Sequence, residues 1–201
     1  DVRRARIDRM GALLVRKRTA EVIEEYESLS ASGEVPNYAK RWVASAWLSE
    51  RQPEKTEAML ASIYYPNGPI PVTPLSPEDQ QDLFYAHIDN ENFDAAKKQV
   101  DDLIKESPYL RRIYGSPTPQ PNDNWLLGQS LLTQYHIAAN ELPEAEKLAE
   151  HLARTGSGNQ GLRISYASVL EARGLPHAAE KELKLAEVIE PSNLELERQQ
   201  A

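Results

Sequence analysis

An all-α array of about five helical hairpins is the fold this sequence predicts, and three observations predict it. Ala145-Glu146-Lys147 returns as Ala179-Glu180-Lys181, a shift of 34 residues (179 − 145). Under the same shift Leu132 falls on Tyr166, Asn140 on Gly174 and Asn159 on Asn193. Alanines also stand at fixed places among good helix formers, with Ala179 and Ala186 set between a Gly174-Leu175-Pro176 break and Pro191. Alanine favours helix but buries little area, so an alanine at a fixed place marks where a second helix must come close.

A helix–turn–helix period of about 34 residues with small residues at the helix contact is that of the tetratricopeptide repeat (TPR), whose units stack into a right-handed superhelical solenoid. On that frame the last unit reads Tyr166-Ala167, Leu170, Gly174, Ala179, Leu183, Ala186 and Pro191, with Arg163 where tryptophan is usual. Ala179 should let the second helix lie on the first, and Ala186 should let the next unit pack. Pro191 should end the helix.

The elements follow in order. A degenerate first repeat spans 3–35 and turns near Lys17. The second, 39–65, carries Trp42, Ala46 and Ala58, with Pro53 at its turn. The third, 77–108, opens on Ser76-Pro77-Glu78-Asp79: an N-cap serine, proline at the first helical position and acids in the first turn. Leu83-Phe84, His87, Glu91, Phe93, Ala96, Val100, Leu103 and Pro108 then keep the frame. The fourth and fifth repeats span 123–157 and 160–193, joined by a turn at Gly156-Ser157-Gly158, and Leu194 begins a further helix. Two stretches break the period, 66–76 and 109–122. Five prolines stand from Pro66 to Pro77 and four from Pro108 to Pro121, nine of the 14 in the chain, a density that favours extended loop over helix. Residues 1–201 thus read as one repeat domain with two loop inserts, and inserts in such arrays often serve a functional face.

Composition narrows the function. Hydrophobic residues make up 40% and charged residues 27% of the 201, enough to bury a core and stay in solution. No stretch approaches the roughly 18 apolar residues of a membrane-spanning helix, and the absence of cysteine rules out disulfides and thiolate metal sites. The chain opens on a charged, helical Asp1-Val2-Arg3-Arg4-Ala5-Arg6 rather than on an apolar leader, which a processed chain would also do. A net charge of −8 with interrupted basic clusters argues against nucleic-acid binding; an acidic surface favours cationic partners, but it is also the ordinary solution to solubility.

No catalytic motif is present. His87 and His136 fall on the repeat position that ordinarily holds a packing Tyr or Leu, and no H-x-x-x-H pair joins the four histidines. Carboxylate pairs such as Glu24-Glu25 and Asp101-Asp102 are adjacent in sequence, so on a helix they diverge. The expectation is a protein with no enzymatic activity, no metal site and no cofactor. Binding is left, and in this repeat the first helices line the inner groove. Its positions are read as Val43, Trp47 and Glu50, then Gln81, Tyr85 and Asp89, then Ser130, Gln134 and Ile137, then Ile164, Ser168 and Glu171. Of these, Trp47, Glu50, Gln81, Tyr85, Asp89, Gln134 and Glu171 form the candidate ligand surface, aromatic rings to stack on a polar ligand and acids to hold positive charge. The alternative is that Trp47 and Tyr85 pack under an insert.

The stretch from Asn122 to Asn193 carries more than the generic repeat. Asn159-Gln160-Gly161-Leu162-Arg163 and Tyr166-Ala167-Ser168-Val169-Leu170, within it, resemble the periplasmic TPR domain of the outer-membrane porin family that exports poly-N-acetyl-D-glucosamine (PNAG), a biofilm polysaccharide. The likeness is strong over roughly the last 80 residues. It implies a fragment of a longer outer-membrane protein whose covalent β-barrel lies outside these residues. It also implies a periplasmic module that guides partly deacetylated polymer and docks the periplasmic PNAG deacetylase. Deacetylation makes the polymer cationic, which gives the negative charge a purpose. The alternative from the repeat alone is a TPR scaffold that binds a peptide or protein partner; such grooves usually present asparagines and lysines, where this one offers aromatics, amides and acids.

Overall fold

The computed structural model describes residues 2–68, 73–106, 110–111, 120–121, 123–156 and 159–189. Ten α-helices lie among them: α1 (Val2–Val15), α2 (Thr19–Ala31), α3 (Asn37–Ser49), α4 (Pro53–Tyr64), α5 (Pro77–Asp89), α6 (Phe93–Glu106), α7 (Asp123–Ala138), α8 (Leu142–Thr155), α9 (Gln160–Ala172) and α10 (Pro176–Ile189). Helices α1 with α2, α3 with α4, α7 with α8 and α9 with α10 pack as hairpins, and the chain divides into two compact units, Asp1–Ala96 and Lys97–Ala201.

One turn chemistry ends α1, α3, α5, α7 and α9. Lys17, Arg51, Glu91, Asn140 and Gly174 each adopt a left-handed backbone, with φ of 57, 57, 58, 59 and 72°. In each case the next amide donates to the carbonyl five residues behind it: Arg18 to Leu13, Gln52 to Trp47, Asn92 to His87, Glu141 to His136 and Leu175 to Leu170, at 2.7–3.0 Å. This is the Schellman ending of a helix, and it satisfies carbonyls that the last turn would leave orphaned. Only the last of the five uses glycine, the residue for which this conformation carries no Cβ penalty.

The turns also fix the repeat frame. Five residues after each left-handed residue stands Val22, Thr56, Ala96, Ala145 or Ala179, and all five are fully buried. The turn spacing is 34 residues from Lys17 to Arg51 (51 − 17) and 34 from Asn140 to Gly174 (174 − 140). Between them it stretches to 40 (91 − 51) and 49 (140 − 91), where the two inserts enter. Ala179 lies against Ala167 and Leu170 of α9, as its size requires, and Ala186 is fully buried. Pro191, Asn193 and Leu194 lie outside the described residues.

The second hairpin departs from the expectation. Ala58 is exposed, and the tight contact between α3 and α4 is made by Thr56 against Ala44, both fully buried. Thr56 is tolerated there because its hydroxyl donates to the Ala44 carbonyl at 2.8 Å, so no buried polar group is stranded.

In the first unit the core runs from Ile7, Met10 and Leu13 of α1 through Val22 and Leu29 of α2 to Val43 and Trp47 of α3. A second cluster joins Ala44, Leu60, Ile63, Tyr64 and Leu83, with Leu75, at the end of the first insert, packed against it. In the second unit α7 to α10 stack in sequence, and α6 approaches α7 so closely that a Cβ on Gly128 would stand 2.7 Å from the side chain of Ile104. The second insert, expected as loop, contains a two-residue antiparallel ladder between β1 (Leu110–Arg111) and β2 (Gln120–Pro121).

Candidate functional site

The face that α3 and α5 share in the first unit carries charged, hydroxyl and aromatic side chains at helical spacing. Tyr38, Arg41 and Ser45 follow one another at three- and four-residue spacing along α3, and Glu78, Asp82, Tyr85 and Asp89 do the same along α5. Ser76 caps α5 by accepting from the Asp79 amide at 3.2 Å, and Pro77 occupies the first helical position, so the sequence itself sets where this helix starts.

Asp79 ties the two helices together. One of its carboxylate oxygens accepts from the Tyr64 hydroxyl at 2.5 Å, from the Ser76 hydroxyl at 2.8 Å and from Arg41 Nε at 2.8 Å. Asp79 is only 3% exposed, so this charge is buried and paired. Burial, then the bonded Asp79 carboxylate, pushes the Tyr64 hydroxyl up to about 12.

Three residues on, Asp82 is treated differently. Burial, reinforced by the charges of Asp79 and Glu78, pushes its carboxyl up to about 6, against a hydrogen bond from Ser45 that lowers it. Arg41, across the groove, is committed to Asp79, and among the described residues Asp82 forms no ion pair. Tyr85, one turn further on, keeps 41% of its surface exposed, and Tyr38 on α3 keeps 48%.

The sequence-derived candidates distribute unevenly. Gln81, Tyr85 and Asp89 all lie exposed on one side of α5. Glu50 is exposed at the C-cap of α3 and accepts from the Thr19 hydroxyl. Trp47 does not join them: it is 7% exposed and packs in the core, edge-on to Tyr26 at 5.7 Å, with Lys55 5.6 Å from its ring. Val43 is likewise fully buried. The physical reason is a two-residue slip in the frame. Ala46 and Ala58 are 12 apart, as Ala167 and Ala179 are, but so are Ala44 and Thr56, and the turn at Arg51 selects the latter pair. With the frame corrected, Trp47 aligns with Leu13, His87 and Leu170, all of them packing residues, and Arg41 and Ser45 take the inner positions. Arg41, Ser45 and Asp82 were missed for that reason. Of the histidines, His87 is 9% exposed beside Glu57, and His136 bonds Glu141 at 2.7 Å.

Gln134, half-buried on α7, and Glu171, exposed at the end of α9, belong to the second unit. There Arg163 pairs with Glu182 at 2.7 Å and Arg173 with Glu146, bracing α9 against its neighbours. Burial and the surrounding Glu150, Glu146 and Glu182 push the Tyr166 hydroxyl up. An open depression of about 510 Å³ beside α8 is lined by Glu144, Lys147, Leu148, Glu150, His151 and Arg154. No group of three or more His, Asp or Glu side chains able to hold a metal ion occurs among the described residues. None of the described helices is long and apolar enough to cross a membrane.

The repeated hairpins, their shared turn and the small residues between their helices define the class: an all-helical TPR protein. The solved structure of MamA MSR-1 C2 supports that fold at a TM-score of 0.50, covering 95% of this chain and 98% of its own, with 13% identity. Sequence comparison is more specific than the fold. The chain is 46% identical over 199 residues, 98% of its length, to the poly-β-1,6-N-acetyl-D-glucosamine export protein of Escherichia coli K12, and equally to that of Escherichia coli O157:H7. Its likeness to these PNAG export proteins covers the N-terminal hairpins as well as the C-terminal ones that first suggested it. The chain spans 24% of the length of these curated relatives. No protein-family model matches the chain.

Proposed function

We propose that this chain is a non-catalytic periplasmic module of a PNAG exporter, which receives partly deacetylated polymer and passes it to an outer-membrane β-barrel belonging to the rest of the protein. The observation that carries the reading is the 46% identity to export proteins across nearly the whole chain. A net charge of −8 and the exposed Gln81, Tyr85 and Asp89 of α5 support it, since they suit a cationic sugar chain better than a peptide backbone. Docking of the periplasmic deacetylase is part of the same proposal.

Several weak contacts along a polymer can add without any one being tight. Exposed ion pairs contribute about 0–1 kcal/mol each and are screened over about 8 Å at physiological salt. Titration calorimetry with β-1,6-linked glucosamine oligomers and their fully N-acetylated counterparts tests the reading. Weak binding that favours the deacetylated oligomer and fades as salt rises is expected. No binding of either oligomer, or equal binding of both at low salt, refutes it, and capture of peptides instead returns the chain to the general TPR scaffold class.

A further inference from the structure

Resting on that reading, we infer that Asp82, half-buried on the face that α3 and α5 share and one helical turn from the exposed Tyr85, is the subsite that recognises the free amine of a glucosamine residue. The general acidity of the surface would attract a cationic polymer without telling one sugar from the next. Asp82 differs from the other acids of this face in three respects. It is half-buried, so a charge placed on it is weakly screened. Among the described residues it forms no ion pair, and Arg41 on the facing helix is already held by Asp79 and Ser76. And it stands one helical turn from an exposed tyrosine ring, whose face offers the platform on which a pyranose stacks.

Each of these makes an ammonium the ligand that Asp82 lacks. Its carboxyl is held up by burial and by the like charges of Glu78 and Asp79. An ammonium brought against it opposes both, replacing lost water with a charge-assisted hydrogen bond and offsetting the neighbouring acids. An N-acetylated sugar brings a neutral amide that does neither. The ring of Tyr85 makes no such distinction, so it should hold both kinds of sugar. Recognition of the amine and grip on the sugar are thereby divided between adjacent residues of α5.

The arrangement predicts a pH dependence that a merely acidic groove does not have. Ordinary exposed carboxylates are ionised by about pH 5. Asp82, titrating at about 6 with Glu78 and Asp79 on its own helix and Ser45 and Arg41 facing it, is largely neutral at pH 5 and ionised at pH 7. Affinity for a β-1,6-linked glucosamine hexamer should therefore rise about three- to tenfold between about pH 5 and pH 7, while affinity for the N-acetylated hexamer stays flat.

The test is calorimetry on the whole chain at both pH values with both hexamers. Asp82→Asn should abolish the pH step and the preference while leaving the N-acetylated hexamer bound as before. Tyr85→Ala should weaken both. Glu78→Gln removes a like charge without touching Asp82, so it should move the midpoint of the pH step downward while preserving binding at pH 7. Far-UV circular dichroism of each variant checks that the helices are retained. If the wild-type chain prefers the glucosamine hexamer but Asp82→Asn keeps that preference and its pH profile, the subsite is overturned and the exporter reading stands. If Glu78→Gln leaves the midpoint unmoved, Asp82 is not the group being read. If the wild-type chain binds neither hexamer, both readings fall.

Discussion

Replacing Asp79 by alanine should be among the most damaging single changes in the first unit, and the structure says by how much. One oxygen of Asp79 receives hydrogen bonds from Tyr64, Ser76 and Arg41 at 2.5, 2.8 and 2.8 Å. The three donors are not equivalent once it is gone. Arg41 has 38% of its side chain exposed and can turn to water, so its loss costs about 0–1 kcal/mol. Ser76 still accepts from the backbone amide at position 79 and keeps its capping role. Tyr64 is only 4% exposed, and its stranded hydroxyl costs about 1–3 kcal/mol. The sum is about 1–4 kcal/mol, or a fall in Tm of roughly 2–16 °C at the 2–4 °C per kcal/mol expected for a chain of this length. Thermal unfolding followed by far-UV circular dichroism measures it, and a double-mutant cycle isolates the cause. Tyr64→Phe alone should cost about 1–2 kcal/mol, yet in the Asp79→Ala background it should be neutral or stabilising, because the hydroxyl it removes is then unpaired. Strict additivity of the two losses, or a loss below about 1 kcal/mol for Asp79→Ala, would show that the network does not hold α3, α4 and α5 as described.

Asp82→Asn should do the opposite. A carboxyl raised from 3.8 to about 6 binds protons more tightly in the folded chain, so its contribution to stability is fully present below about pH 4 and is lost as pH rises through 6. The variant should therefore be more stable than wild type by about 1–2 kcal/mol at pH 7, after allowance for partial exposure, and unchanged near pH 4 in denaturant titrations. His87 has the reverse sign for acid: burial lowers its pKa against the pull of Glu57, so it is neutral when folded, and stability falls as pH drops below about 6.5. His87→Gln should flatten that part of the pH–stability curve. Ala179→Leu should cost about 1–3 kcal/mol by forcing α9 and α10 apart, whereas Ala58→Leu, on an exposed face, should change Tm little. Gly174→Ala should cost about 1–2 kcal/mol through its φ of 72° alone, since the space beside it is open.

The sequence alone settled the fold class, because a 34-residue recurrence with alanines at the helix contacts leaves few other architectures. It also placed Ser76 and Pro77 at the start of α5, the turns at Lys17, Asn140 and Gly174, and His87 among the packing positions, all of which depend on local backbone chemistry or a clear repeat frame. What it left to the tertiary structure was the face of α3. Two pairs of small residues, Ala46 with Ala58 and Ala44 with Thr56, share one spacing, and nothing local separates them. The choice is made by the Schellman turn at Arg51 and by the hydroxyl of Thr56 finding the Ala44 carbonyl, and it sends Trp47 into the core while turning Arg41 and Ser45 toward α5. Asp82 was illegible for a related reason. Its character depends on burial and on charges brought near it by folding, and a carboxyl's environment is a property of the packed helices rather than of its own residue letter.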